Sequence, residues 1–308
     1  MDFSAAEIND ACYGFLSILL EGTFFIFIGT VVSGFIDAYM PSGLLDRYLP
    51  SNRYVAILAG GALGAVFPVC ECAIVPVIRR LLKKGLPLSV GVTYMLAAPI
   101  VNPVTLTSTV AAFSQRGGEG LLVALSRIGI AYVITVTVGI IMLRVPITRV
   151  LTHQVQDTLR SVNDPEHGPG PGNRLVHAMR VAQRDFTDVA LYFVAGVALT
   201  ALFNVWIDRE IIAPVASNDL AGAPALMSLA FVLSLCSTSD AFVAAAMDKF
   251  SYAAKLAFLV FGPMMDLKLI FLYSSVFKKM FVLWMALGLF VLVWIACVIW
   301  GVWTFPLN

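Results

Sequence analysis

Phe67-Pro68-Val69-Cys70-Glu71-Cys72-Ala73-Ile74-Val75-Pro76 interrupts a run of apolar residues that otherwise reads as a plain membrane helix. Proline removes a backbone donor and crowds the carbonyl four residues back, so Pro68 and Pro76 predict a kinked or broken helix. Carbonyls freed at membrane depth survive only where protein or a wet cavity covers them. Glu71 is the one charged side chain between Tyr54 and Ile78, and an ionisable group inside a span marks a functional position by default. The flanking Cys70 and Cys72 offer two soft sulfur ligands, suited to thiophilic metals or metalloids rather than to Mg²⁺ or Ca²⁺. The plainer alternative is two packed cysteines beside a helix break.

The rest of the chain supplies the membrane. Apolar residues make up 59% of its 308 positions and charged residues 13%, against about 25% charged in soluble domains. Mean hydropathy is +0.89. Charge-poor stretches run at about 13–36, 54–78, 86–113, 120–143, 189–207, 220–247, 256–277 and 280–305. Each approaches or exceeds the roughly 20 residues that a helix needs to cross hydrocarbon. The predicted class is an all-α polytopic membrane protein. A net charge of +1 gives no polyanion signal, and nucleic acid is excluded as a partner. The five cysteines are odd in number and mostly in apolar surroundings, so they build no disulfide framework. Asp2, Glu7 and Asp10 precede the first apolar run without a basic segment, so that run is expected to stay as a helix rather than be cleaved.

Between 144 and 188 the character changes. Arg144, Arg149, Arg160, Arg174, Arg180 and Arg184 gather there with the Gly-Pro run at 168–172. This reads as a cytoplasmic linker separating a first membrane repeat, 1–143, from a second, 189–308. His153, His167 and His177 fall in the linker at spacings that fit no metal site. Cys72 through Asn102 lies over Cys236 through Asp266 without a gap, so that Pro99 meets Pro263 and Asn102 meets Asp266. Each half then has a Cys-bearing re-entrant or kinked helix followed by a Pro-broken one, an order of features shared by many transporters built from repeats. If 54–84 and 220–249 are re-entrant, the halves are inverted. Arg116, Arg209, Lys249 and Lys255 are then the main cations outside, and the remaining Lys and Arg face the cytoplasm. The positive-inside rule favours that topology over eight plain crossings with parallel repeats.

In the second half Cys236-Ser237-Thr238-Ser239-Asp240 sets consecutive polar side chains in an apolar span. Such groups are costly unless they meet partners or water, although Ser and Thr can also bond back to their own helix. If the two kinks meet near the midplane, Cys70, Cys72 and Cys236 converge as a three-thiol site. Pro99-Ile100-Val101-Asn102-Pro103 and Gly262-Pro263-Met264-Met265-Asp266 mark further breaks. Broken helices aim backbone dipoles at a bound solute. Asn102 can donate and accept, whereas Asp266 can exchange a proton. Asp266 and Lys268, two apart on a helix, are not expected to face each other. Met264 and Met265 read as core. Glu21 and Arg127, each alone in a span, are expected to pair with one another. Gly60, Gly61 and Gly64 suit a close helix contact.

Together, Pro68-Val69-Cys70-Glu71-Cys72, Pro76 and Ala98-Pro99-Ile100-Val101-Asn102 resemble the bacterial predicted-permease family that includes the organoarsenical efflux permeases. The likeness runs from about Phe15 to Tyr273, the linker excepted. It implies an inner-membrane carrier with Cys70 and Cys72 as ligands for a trivalent arsenical. Arsenical carriers of the family usually have a small residue where Glu71 stands and Asn-Glu where this chain has Asn102-Pro103. A carboxylate between the thiols favours a cationic metal or couples protons.

The expectation is therefore a multi-pass permease of the bacterial inner membrane that exports a small thiophilic solute, and not an enzyme. Cys70 and Cys72 would ligate a transported metal or metalloid. Cys236, Ser237, Thr238, Ser239 and Asn102 would complete the substrate contacts. Glu71, Asp240 and Asp266 would exchange protons. Pro68, Pro76, Pro99, Pro103 and Pro263 would break the helices. No cofactor is expected, and no Walker motif points to ATP hydrolysis. The lipid bilayer and the solute are the expected partners, and a homo-oligomer is compatible. A membrane thiol oxidoreductase and a structural subunit of an export complex are the competing readings.

Overall fold

The computed structural model describes residues 5–41, 49–67, 69–114, 120–152, 174–206 and 219–304. Pro68 and the linker stretch 153–173, with His153 and His167, lie outside the described residues. Among those described, the chain is all-helical. In order the helices are α1 (Ala5–Tyr39), α2 (Arg53–Val66), α3 (Ile74–Lys83), α4 (Leu88–Ala97), α5 (Pro103–Ser114), α6 (Gly120–Met142), α7 (Ile147–Val150), α8 (Arg174–Trp206), α9 (Asp219–Leu233), α10 (Asp240–Ala246), α11 (Tyr252–Met264), α12 (Leu267–Ser274) and α13 (Lys279–Thr304).

Five segments are long and apolar enough to cross a bilayer: Cys12–Tyr39, Gly120–Met142, Arg174–Phe203, Tyr252–Ser274 and Lys279–Gly301. The other apolar stretches are split into short helices by the breaks read from sequence, and this is why fewer than eight appear as continuous spans. Tyr252–Ser274 is 83% buried across its apolar window and Cys12–Tyr39 only 22%, so α11–α12 form the centre and α1 faces lipid along Leu20 and Phe24. The helix that opens the second half begins at Arg174 rather than near 189, so the last part of the expected linker is the first part of α8.

Small residues set how the helices run. On α1, Gly22 abuts Phe193 and Gly34 abuts Ala178 of α8, so these two helices are antiparallel. Gly29 abuts Ala73 and Asp37 meets Arg80, so α3 runs in the same direction as α1. Gly85, at φ +101, turns the chain from α3 into α4, a backbone conformation open to glycine without a Cβ penalty. Gly60 touches Val90 and Gly64 touches Ala98, so α2 is parallel to α4. In the second half Ala230 faces Gly262 and Ser234 faces Lys268, so α9 is parallel to α11–α12. Each parallel pair requires the short helix between its members, α3 or α10, to carry the chain back.

Gly64 tests this packing. A Cβ there would lie 2.7 Å from both the Ala98 Cα and the Val101 carbonyl oxygen, backbone atoms with little room to move. Gly64→Ala is expected to cost roughly 1–3 kcal/mol, read as a lower melting temperature of the purified protein in detergent. Gly288→Ala, where nothing lies within 4 Å, should leave that temperature unchanged or slightly raised.

Several expectations change in three dimensions. Pro76 does not break a helix: it sits in the first turn of α3, where backbone donors have no intrahelical acceptor in any case. Pro103 likewise opens α5. Pro99 lies in the turn between α4 and α5, and Pro263 just precedes the end of α11. Arg79 and Arg80 are not simply flanking cations. Both are buried against Asp185, with Arg80 reaching it through Nε at 3.0 Å and Asp37 through a second nitrogen at 3.3 Å. Ser33 donates to the same Asp185 at 2.8 Å. His177 pairs with Asp37 at 3.0 Å instead of standing alone in solvent.

Candidate functional site

The polar breaks of the two halves meet at a cavity of about 260 Å³. Cys70, Glu71 and Cys72 reach it from the segment joining α2 to α3. Ser234, Cys236 and Ser239 reach it from the segment joining α9 to α10, and Lys268 from α12. Ser17, Glu21 and Phe25 of α1, with Phe193 of α8, form the opposite wall. Helices α1 and α8 close on this wall because Gly22 leaves space for the Phe193 ring.

Lys268 ties the halves together. Its Nζ donates to Glu71 Oε1 at 3.2 Å and to the Ser234 carbonyl at 2.9 Å, and it lies 3.5 Å from Asp266 Oδ2. Ser234 has φ +48, a conformation that non-glycine residues hold only where the surrounding structure imposes it. Its carbonyl is thereby available to the ammonium. Asp266 and Lys268 do face each other, contrary to the helical expectation, because Asp266 is extended (φ −138, ψ 177) and caps α12 through Leu269 N at 2.7 Å. Glu71, Lys268 and Asp266 are all buried, and no described donor reaches Glu71 Oε2 or Asp266 Oδ2.

Arg127 and Glu21 do not pair. Arg127 is fully buried and gives its guanidinium to Asp240 at 2.7 Å, the Ser237 carbonyl at 3.1 Å and Thr109 at 2.9 Å. Thr109 passes the chain of bonds to the Thr105 carbonyl, and Thr105 to the Pro99 carbonyl. This network pins the Cys236 loop to the break between α4 and α5. Asp240 is thus committed to a guanidinium, while Glu21 stands on the cavity wall.

The sequence-derived candidates divide cleanly. Cys70, Cys72, Cys236, Glu71 and Ser239 line the cavity, whereas Ser237, Thr238, Asn102, Asp240 and Asp266 are not among its lining residues. Thr238 instead contacts Cys236 Sγ at 3.5 Å. Asn102 is buried and accepts from Val104 N at 2.8 Å, starting α5. The three thiols share one cavity, but among the described residues no group of three or more His, Cys, Asp or Glu side chains is placed to hold a metal ion. Lys268, Ser234 and Glu21 are the participants that motif reading missed. A lysine two positions after Asp266 was the available signal for the first.

Comparison with known proteins places this geometry. Residues 7–302 match the family described as "Predicted permease". The chain is 36% identical over 274 residues to UPF0718 protein YcgR of Bacillus subtilis, covering 87% of this chain and 89% of that protein. It is 31% identical over 290 residues to a Streptococcus mutans protein named as a two-component membrane permease complex subunit, covering 94% of each. No solved structure matches. With the match spanning both halves and the cavity between them, the chain belongs to the predicted permease family and is a multi-pass transmembrane permease.

Proposed function

We propose that this permease carries a small thiophilic solute, a trivalent arsenical or a related metalloid or metal species, outward across the bacterial inner membrane. Cys70, Cys72 and Cys236 would hold the solute by reversible sulfur coordination, and Glu71 and Asp266 would exchange protons as the site alternates between faces. The role is transport, without enzymatic turnover. The observation that carries this reading is the convergence of three thiols and the Glu71–Lys268 pair on one cavity. Soft sulfur ligands select thiophilic species over hard cations.

The architecture proposed for it is a pair of inverted repeats. The segments 54–84 and 220–249 would enter the membrane from opposite faces and turn back at the cysteines. Support comes from α2 running parallel to α4 and α9 parallel to α11–α12, which leaves α3 and α10 to return each chain to its side of entry. A solute held between two such hairpins meets either face when one repeat rocks against the other.

Cys72→Ala is expected to abolish transport of phenylarsine oxide into everted vesicles while leaving the amount of inserted protein unchanged. Undiminished transport by that variant would remove the thiol mechanism. The name of the Streptococcus mutans relative supports a second reading, that the chain works with a companion subunit. Purification of a tagged chain at native expression, active and without a stoichiometric companion, would remove it.

A further inference from the structure

Glu21 is an exposed carboxylate on the cavity wall, at the level of a candidate span. Among the described residues nothing supplies it with a hydrogen-bond or ion-pair partner. Lys268 is already engaged by Glu71, Asp266 and the Ser234 carbonyl, and Arg127 by Asp240. The charge that the cavity presents without compensation is therefore that of Glu21, across from the thiols of Cys70, Cys72 and Cys236. A carboxylate so placed is costly at membrane depth unless a cargo or a proton answers it.

We propose that Glu21 makes this cavity a site for a soft monovalent cation, serving as the acceptor of the proton that the ligating thiol gives up. This rests on the thiol-permease reading and narrows its cargo. When the cation binds, a sulfur–hydrogen bond breaks, a sulfur–metal bond forms, and the proton moves to the Glu21 carboxylate. No electron is transferred. The positive charge gained equals the negative charge neutralised, so the loaded site carries the same net charge as Lys268 and its partners alone. An uncharged trivalent arsenical needs no such acceptor, because each hydroxyl it exchanges for sulfur leaves as water with the thiol proton. The absence of any three-ligand group among the described residues argues against a tetrahedral divalent ion. It suits the low-coordinate, thiolate-seeking class represented by Cu(I).

The test uses the full chain in detergent, with Ag⁺ as the cation probe and phenylarsine oxide as the uncharged one. Wild type should bind Ag⁺ with no net release of protons into a weakly buffered solution. Glu21→Gln should release one proton per Ag⁺ and bind it at least about tenfold more weakly, near 1.4 kcal/mol. Its loss of phenylarsine oxide affinity should be at least ten times smaller than its loss for Ag⁺, and Glu21→Asp should restore the proton balance. Equal proton release by wild type and Glu21→Gln, or equal losses for both probes, overturns the inference. If Glu21→Gln does not fold, the wild-type stoichiometry decides alone, one released proton per Ag⁺ overturning it. Failure of wild type to bind Ag⁺, with phenylarsine oxide binding still dependent on Cys72, defeats the cation inference and leaves the permease reading standing. Binding of phenylarsine oxide by Cys72→Ala as tightly as by wild type defeats the permease reading instead.

Discussion

Arg127→Met is expected to cost about 3–5 kcal/mol of stability, the penalty for leaving one member of a buried ion pair without its partner. Asp240 is buried and its Oδ1 already lacks a donor among the described residues, so the guanidinium at Oδ2 is what compensates its charge. The Ser237 carbonyl and the Thr109 hydroxyl lose their partner in the same step. Arg127→Met combined with Asp240→Leu should recover most of the loss, because a well-packed apolar pair avoids the desolvation that a lone charge suffers. Thermal unfolding in detergent of the wild type, both single variants and the double variant gives the coupling energy directly. A coupling below about 1 kcal/mol would put this pair in water. Asp240 would then return to the set of proton-exchanging groups from which its ion pair now withdraws it.

How far the sequence carried the fold depended on whether a feature was local. Proline and intramembrane polar residues act on their own few neighbours, so the breaks near 67–73, 98–102, 234–239 and 265–266 were legible from residue type and spacing. Pro76 shows the limit even there: two residues of register decide whether a proline ends a helix or sits harmlessly in its first turn. Partners were harder to read. Glu71 and Lys268 are 197 positions apart, and Arg127 and Asp240 are 113 apart. No periodicity reports such a contact. Charge alone suggested Glu21 as the mate of Arg127, yet Arg127 turns inward to the second break while Glu21 faces the cavity. Arg80 and Asp185 follow the same pattern: the positive-inside rule reads Arg79-Arg80 as a flank, and only packing of α1, α3 and α8 shows why their charge is buried.

Lys268→Met should remove transport almost entirely, by about two orders of magnitude or roughly 2.7 kcal/mol, and should also destabilise the protein by about 3–5 kcal/mol. The two effects have separate causes. Stability falls because Glu71 and Asp266, both buried, lose the ammonium that lies 3.2 Å from one and 3.5 Å from the other. Transport falls because Lys268 also holds the Ser234 carbonyl at 2.9 Å, and so fixes the second half's break against the Cys70–Cys72 loop. Adding Glu71→Gln to Lys268→Met removes one buried charge and should restore much of the melting temperature in detergent. It restores no link between the two breaks, so vesicle transport should stay low. Recovery of both together would reduce Lys268 to a charge-balancing residue, and the two halves would have to be coupled elsewhere, through the Arg127 network that binds the Ser237 carbonyl. Recovery of stability alone makes Lys268 the joint through which a solute seated on one half is sensed by the other. That outcome also explains why a permease keeps a lysine in its most enclosed helices, where a charge is otherwise a liability.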